Sequence, residues 1–237
     1  MLKATALIDL ILPASCLLCS DQAARDGLCL DCHADLPWLD GPHCPRCAIP
    51  TPLGEVCGDC LQHPPAFDRS YAALCYQWPV DALIGHLKYG GDWSLAHPLG
   101  AWLAHIATAD HCAPDCLIAM PLHPARQKLR GFNQSLEIAK VLARQWRRPI
   151  HPSIERLVDT PSAAGAHRED RARQVKGAFR LRQPLSGQRV VLVDDVMTTG
   201  ATANECAAAI KAAGAAEVEV WVVARTLKRG GMGNPAG

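Results

Sequence analysis

Apolar positions beyond residue 64 follow two patterns that alternate along the chain. Short apolar runs are typical of buried strands, whereas apolar residues spaced three and four apart are typical of helices that bury one face. The runs predict these strands: Arg69–Tyr76, Cys116–Met120, Arg189–Val193 and Val218–Ala224. The helical spacing predicts these helices: Val80–Lys88, Leu95–Thr108, Gln134–Trp146 and Ala201–Ala213. Such alternation favours an α/β fold in which a parallel sheet carries helices on both faces.

The first 63 residues have a different pattern, in which paired cysteines replace the apolar runs. Eight of the twelve cysteines form C-x-x-C pairs, and the second half of the segment repeats the first with an offset of 28 residues. The paired cysteines are Cys16, Cys19, Cys29, Cys32, Cys44, Cys47, Cys57 and Cys60. Each C-x-x-C turn directs two thiolates at one centre, so two turns complete a tetrahedral zinc site. The spacing therefore predicts two structural zinc sites.

Disulfides and redox or iron–sulfur cysteines are the alternatives to zinc. Disulfides suit an oxidising compartment, for which the chain carries no good signal, and redox dithiols would not need four pairs at matched spacing. The zinc sites could close sequentially or interleave, and the duplication favours sequential closure because each copy is then complete. A segment this short buries little apolar surface, so its fold should depend on metal. We expect a double zinc-ribbon module over residues 1–63 and a second domain over residues 64–237.

Composition is that of an ordinary globular protein, but the charge is unevenly distributed. The 237 residues are 49% hydrophobic and 20% charged, with a net charge of +1. Although the net charge is small, residues 126–189 form a basic block with fifteen Lys or Arg and five Asp or Glu. The block could be a solvated face, a pyrophosphate site or a groove for single-stranded nucleic acid. Arg126, Lys128 and Arg130 fit a pyrophosphate site, and four further residues fit either ligand: Arg168, Arg171, Arg173 and Lys176.

The N-terminal segment MLKATALIDLILPASC is a poor match to a secretory or lipoprotein signal, because it has one lysine and Asp9 interrupts its apolar run. Leu7, Leu10 and Ile11 instead fall at helical spacing and predict a short amphipathic helix. No apolar stretch reaches the roughly 18 residues that cross a bilayer. We therefore expect no membrane span and a cytoplasmic location.

The segment VVLVDDVMTTGAT, Val190–Thr202, indicates phosphate binding. Its apolar run delivers Asp194 and Asp195 to the carboxyl end of a strand, where ligands bind in parallel sheets. The loop that follows offers N–H groups, threonine hydroxyls and the start of a helix, all of which favour an anion, and Gly200 permits close approach. Acidic residues beside a phosphate make sense if the ligand also carries sugar hydroxyls or a magnesium ion.

This segment resembles the motif with which type I phosphoribosyltransferases bind phosphoribosyl pyrophosphate (PRPP). The resemblance implies that fold, with Asp194 and Asp195 holding the ribose hydroxyls and with magnesium accompanying PRPP. It also implies that the 5′-phosphate lies on these loop residues: Thr198, Thr199, Gly200, Ala201 and Thr202.

Nearly the whole chain resembles the ComF family of competence-related proteins, which includes GntX-type members. The segments that carry this resemblance are the cysteine pairs, LKYGGD (Leu87–Asp92), LIAMPLHPARQKLRGFNQS (Leu117–Ser135) and DTPSAAGAHREDRARQVKGAF (Asp159–Phe179). It implies that the loop Pro121–Arg130 holds the pyrophosphate, that residues 159–176 form a mobile hood, and that Lys88, Arg126 and Arg130 bind the cofactor. The hood departs from the family pattern at three positions: Ala163, Ala166 and Gln174.

Two functions follow from the resemblance. One is a competence-related protein that binds PRPP or a nucleotide in this domain and handles single-stranded DNA, together with competence-machinery proteins. The other is an active phosphoribosyltransferase that transfers phosphoribose from PRPP to a nitrogenous base in nucleotide salvage. Such transfer relies on positioning and electrostatics, so no nucleophilic side chain is needed.

Overall fold

The structure, a computed structural model, describes residues 15–23, 26–106, 114–152, 154–159 and 173–227. Its main sheet has the strand order β1-β6-β5-β2, and each of its pairings is parallel. A separate antiparallel pair joins β3 to β4. The strands are β1 (Arg69–Cys75), β2 (Cys116–Ala119), β3 (Ile154–Arg156), β4 (Phe179–Leu181), β5 (Arg189–Met197) and β6 (Glu217–Arg225).

The described helices flank the sheet and also occur in the cysteine-rich segment. They are α1 (Leu30–Ala34), α2 (Gly58–Gln62), α3 (Val80–Tyr89), α4 (Ala96–His105), α5 (Pro124–Arg130), α6 (Gln134–Trp146) and α7 (Ala201–Ala212), with a 3-10 turn at Trp93–Leu95. None of the helices in the described ranges is long and apolar enough to cross a membrane.

Both faces of the sheet are buried, because apolar side chains point alternately to either side of its central strands. Val191 and Val193 of β5 pack against α4 and α6 on one face. Val190 and Leu192 pack against α7 on the other face. The predicted parallel sheet with helices on both faces is therefore confirmed.

Strand β5 is longer than the apolar run predicts. The run ends at Val193, but the parallel pairing with β6 continues through Asp194 opposite Val222 to Met197 opposite Arg225. Strand β6 explains the extension, because it stays buried from Val220 to Arg225 and so offers buried partners to the last residues of β5. The two aspartates thus lie within the strand rather than in the loop after it.

Helix α5 and the paired strands β3 and β4 are elements that the sequence pattern does not predict. Residues Pro124–Arg130, which the sequence places in a pyrophosphate loop, form helix α5. Pro124 begins this helix, and Gly131 ends it with a positive φ of 83°, so both ends carry the residues such ends favour. The short hairpin of β3 and β4 escapes sequence analysis because its strands are three residues each and lie far apart in the chain.

The cysteine-rich segment packs against the edge strand β1. Leu39 N–H donates to the carbonyl of Ala73 at 2.9 Å, and Trp38 forms an antiparallel bridge with Leu74. Leu28 of the first cysteine repeat is fully buried in the core on one face of the sheet. Ala48 of the second repeat is buried in the core on the other face. The segment thus covers the edge of the sheet and contributes to both cores.

Two helical glycines provide a matched test of this packing. A Cβ on Gly100 of α4 would lie 2.8 Å from Val141 Cβ of α6, whereas a Cβ on Gly85 of α3 would meet no atom within 4 Å. Alanine favours the helix at both positions, so Gly85→Ala should raise the free energy of unfolding by about 0.5–1 kcal/mol. Gly100→Ala should instead lower it by about 1–2 kcal/mol through overpacking. Urea unfolding of both variants checks this, and equal effects would contradict the close contact of α4 with α6.

Candidate phosphate-binding site and metal centres

The side chains of Asp194 and Asp195 point to opposite faces of β5, because side chains alternate along a strand. Asp194 is half-buried and lines a cavity of about 50 Å³ beside Thr198, Gly200 and Thr202. Asp195 is buried and reaches Lys88 on α3 instead. We call residues 198–202 the phosphate loop. Of the two aspartates, the structure brings only Asp194 to this loop.

The phosphate loop connects β5 to helix α7. Gly200 is its turning point, with a positive φ of 80°, and its amide lies just before the first residue of the twelve-residue helix. Thr199 Oγ1 accepts a hydrogen bond from the N–H of Ala201 at 3.3 Å, so this hydroxyl holds the turn. The N–H of Ala201 is engaged by this hydroxyl, and the other N–H groups in the first turn of a helix lack partners within the helix and favour an anion.

Asp194 is held in place by Ser135, a residue for which the sequence predicts no individual role. Ser135 Oγ donates to Asp194 Oδ1 at 2.9 Å, and the N–H of Asp195 donates to the same oxygen at 2.9 Å. Ser135 is itself fixed because Asn133 caps helix α6, accepting a hydrogen bond from the Ser135 N–H. Burial and the neighbouring Asp195 raise the pKa of Asp194, while Lys88 and the two hydrogen bonds oppose that shift.

Lys88 and Asp195 form an ion pair inside the protein. Their Nζ and Oδ2 atoms are 2.9 Å apart, and the side chains are only 19% and 5% exposed. Burial lowers the pKa of Lys88, but Asp195 and Asp194 outweigh it and raise that pKa overall. Lys88 is therefore a cation anchored at the carboxyl edge of the sheet. Its expected role in cofactor binding stays a prediction.

The predicted cations of the pyrophosphate segment lie beside Lys88. Lys88, Arg126 and Arg130 line one cavity of about 420 Å³. Arg126 Nε lies 2.8 Å from Asp159 Oδ1, so the first residue of the predicted hood contacts this cation. The Arg130 guanidinium carbon lies 5.3 Å from the centre of the Tyr89 ring. Three residues that the sequence assigns to the cofactor thus share one cavity.

Arg156 is a candidate site residue that the sequence analysis missed. It lies on β3 and lines a cavity of about 580 Å³ that also contains His123 and Asn133. Burial and the nearby Arg126 lower its pKa, while Asp194 and Asp159 act in the opposite direction. Arg156 is thus within electrostatic reach of both the aspartate and the pyrophosphate segment. No local pattern could reveal it, because the contact arises only when the β3–β4 hairpin folds onto the sheet.

The eight paired cysteines gather into two groups, each within one copy of the repeat. The first group is Cys16, Cys19, Cys29 and Cys32, and the second is Cys44, Cys47, Cys57 and Cys60. The sulfur atoms of each group lie within 4.8 Å of one another. This sequential grouping is the one that the duplication favours.

The sulfur spacing fits a metal ion and not disulfides. The Sγ atoms of Cys19 and Cys29 are 3.6 Å apart, as are those of Cys47 and Cys57. A tetrahedron with zinc–sulfur distances of about 2.3 Å has edges of about 3.8 Å, whereas a disulfide requires about 2.05 Å. The donor sets therefore match structural zinc sites.

Backbone N–H groups favour thiolates in both groups. The N–H of Cys32 donates to Cys29 Sγ, and the N–H of Cys57 donates to Cys44 Sγ, each at 3.4 Å. Burial raises the pKa of Cys44, but N–H groups of Cys57 and Cys47 outweigh it and lower that pKa to about 7. Since the thiolate is the form that binds metal, these N–H groups prepare Cys44 as a ligand.

Comparison with known proteins identifies the family. The model for the double zinc ribbon domain matches residues 7–61, and that for the phosphoribosyl transferase domain matches residues 133–233. DNA utilization protein YhgH of Escherichia coli (strain K12) is 35% identical over 233 residues, which cover 92% of this chain and 100% of that protein. Competence protein F of Haemophilus influenzae is 30% identical, over 85% of this chain and 92% of that protein. The chain belongs to the ComF family.

Other relatives are more distant. Competence protein ComFC of Bacillus subtilis (strain 168) is 26% identical over 89% of this chain and 95% of that protein. Among solved structures, purine phosphoribosyltransferase from Pyrococcus horikoshii Ot3 is 19% identical over 66% of this chain and 77% of that chain, with a TM-score of 0.33. The two domain models that match this chain confirm the predicted combination of a double zinc ribbon with a phosphoribosyltransferase domain.

Several predicted features of this ComF family chain lie outside the described residues. They are the N-terminal amphipathic helix, most of the hood with Ala163 and Ala166, and the cations Arg168 and Arg171. Within the described residues, Arg173, Gln174 and Lys176 are exposed. The hood's role in binding pyrophosphate or DNA stays a prediction.

Metal analysis tests the two centres. The wild-type protein should contain about two zinc ions per chain, and Cys44→Ser should remove one of them because it breaks only the second group. Cys75→Ser is the matched control, since Cys75 is a buried cysteine outside both groups, and it should keep both ions. Zinc content by mass spectrometry of the purified variants decides the matter. Loss of both ions in Cys44→Ser would argue against independent centres.

Proposed function

We propose that this ComF family chain binds Mg²⁺–PRPP at the carboxyl edge of its sheet. We further propose that the phosphoribosyltransferase domain, with PRPP bound, takes part in handling single-stranded DNA. The observation that carries the first part is the position of Asp194, between the phosphate loop and a group of cations. It lines the loop cavity, and it interacts electrostatically with Lys88 and Arg156. A ligand with a phosphate at one end, a ribose in the middle and a pyrophosphate at the other end matches this order of groups.

The two aspartates take different parts in this proposal. Asp194 Oδ1 already accepts two hydrogen bonds, so its other oxygen is the one available to a ribose hydroxyl. Asp195 is buried and engaged by Lys88, so it acts by holding that cation at the site. Lys88, Arg126 and Arg130, which share a cavity, then face the pyrophosphate. Mg²⁺ bound with the pyrophosphate reduces the repulsion between its charge and the aspartates.

An exposed aromatic surface beside this site supports the second part. We define it as Tyr89, Trp93 and Arg130. Tyr89 is the last residue of α3 and Trp93 begins the 3-10 turn that follows, with 73% and 68% of their area exposed, and Arg130 stacks on Tyr89. Exposed aromatic rings next to cations are typical of surfaces that stack the bases of single strands. The names of the relatives, DNA utilization protein and competence protein, agree with a nucleic-acid ligand.

Binding of PRPP tests the first part. Asp194→Asn should weaken Mg²⁺–PRPP binding by about 10–100-fold, which corresponds to the loss of a charge-assisted hydrogen bond of about 1.5–3 kcal/mol. Gly200→Val should abolish binding, because a β-branched residue is strained at the positive φ of this turn. Isothermal titration calorimetry measures both affinities.

The matched control is Asp115→Asn, at the opposite, amino end of β2. It should leave the affinity for PRPP unchanged. A folded Asp194→Asn variant that binds PRPP as the wild type does would remove the ribose role assigned here. Pyrophosphate release from PRPP with any of a set of nitrogenous bases would add turnover, the alternative function, to binding.

Binding of oligo-dT tests the second part. The double variant Tyr89→Ala, Trp93→Ala should weaken binding by about 10–100-fold, since stacking of one base contributes about 1–3 kcal/mol. Trp78→Ala is the matched control, because Trp78 is 75% exposed but lies at the opposite end of α3. Fluorescence anisotropy over a salt series should show wild-type affinity falling by about 0.7 log units per log unit of salt for each phosphate contacted.

Binding of PRPP should persist in the single variant Trp93→Ala, because Trp93 does not line the cavity assigned to the pyrophosphate, whereas Tyr89 lines it together with Arg130. If the wild type shows no salt-dependent binding to single strands at low ionic strength, the DNA part of the proposal is wrong. An unaltered affinity in the double variant would place the DNA contact elsewhere.

A further inference from the structure

Arg225 connects the second cysteine group to the phosphate loop. It is the last residue of β6 and is only 3% exposed. Its Nε donates to the carbonyl of Cys47 at 2.8 Å. Its Nη1 donates to the carbonyl of Met197 at 2.8 Å and also to the carbonyl of Thr198. One buried guanidinium therefore holds a metal-ligand segment, the last residue of β5 and the first residue of the phosphate loop together.

Within the described residues, the side-chain hydrogen bonds of Arg225 all go to backbone carbonyl groups. The guanidinium donates to the carbonyl of Cys47 on one side and to those of Met197, Thr198 and Thr226 on the other. A buried polar group that loses its partners is costly, so these carbonyls fix the guanidinium in one position.

We infer that Arg225 is a positioning residue through which the second metal centre holds the phosphate loop in its binding geometry. The inference rests on the proposed function, since it assumes that this loop binds the 5′-phosphate of PRPP. With the Met197 and Thr198 carbonyls fixed by the guanidinium, the N–H groups of the following residues face away from it and toward the ligand. The metal centre then acts on ligand affinity without contacting the ligand.

The first cysteine group differs in this respect. Cys16 and Cys29 are buried in the apolar core together with Leu28, on the other face of the sheet from the α7 side. No hydrogen bond among the described residues connects this group to the phosphate loop. The two groups arise from one duplicated sequence, but among the described residues only the second is connected to the loop by hydrogen bonds, through Arg225.

Coupling between two sites is reciprocal, so ligand and metal should each strengthen the binding of the other. Mg²⁺–PRPP should therefore slow the loss of zinc from the second centre and leave the first centre unaffected. This effect is separate from activity, and a zinc-specific dye can follow it in the full chain.

The test compares Arg225→Lys with Ser70→Ala. Lysine keeps the charge but cannot reach both sets of carbonyls, so PRPP affinity should fall roughly tenfold or more and zinc loss from the second centre should become faster. Ser70 Oγ donates to the carbonyl of Arg46 at 2.8 Å, another contact of the sheet with the second repeat that does not involve the loop. Ser70→Ala should change neither property. Circular dichroism confirms that each variant is folded.

A second measurement does not require the ligand. In Cys57→Ser, hydrogen exchange of the amides of residues 198–202 should be faster than in the wild type, whereas Cys32→Ser should leave it unchanged. If the wild type binds no PRPP, the proposed function is wrong, and this exchange experiment still tests the coupling. If PRPP binds but zinc loss and loop exchange are the same in all variants, the coupling is wrong and the proposed function stands.

Discussion

Parallel pairing of β5 with β6 continues for four residues past the apolar run of β5, and the position of the whole site depends on this extension. It keeps the two aspartates in the strand, so their side chains must point to opposite faces. Asp194 consequently faces the phosphate loop, and Asp195 faces Lys88. It also brings the ends of both strands together, so that Arg225 can reach the carbonyls of Met197 and Thr198.

The chemistry of the site could be predicted from the sequence wherever the groups lie next to one another in the chain. The phosphate loop and the eight cysteines are such cases, because their function needs particular residues at fixed spacing. Arg156 and Arg225 are not, since each acts on residues that are distant in sequence and meet it only in the folded sheet. Helix α5 escapes prediction because it has only seven residues, from Pro124 at its first position to Arg130 just before the C-cap Gly131.

The duplicated cysteine segment shows how two copies of one motif acquire different parts in a fold. Leu28 anchors the first copy in the apolar core, a contact that excludes water but directs no polar group. The second copy offers the carbonyl of Cys47 to a buried arginine. The two copies have the same cysteine spacing in the sequence. In the fold they differ, because the first copy packs into the core on one face of the sheet and the second into the core on the other. A double zinc ribbon can therefore support a phosphoribosyltransferase domain as well as fold beside it.

The central claim is that the carboxyl edge of this sheet is a PRPP site with Asp194 at its centre. A crystal structure of the full chain with Mg²⁺ and PRPP tests it most directly. The account predicts the 5′-phosphate on the N–H groups of residues 198–202, a ribose hydroxyl within hydrogen-bond distance of Asp194, and the pyrophosphate near Arg126. A ligand bound elsewhere, or a ribose directed away from Asp194, would contradict it.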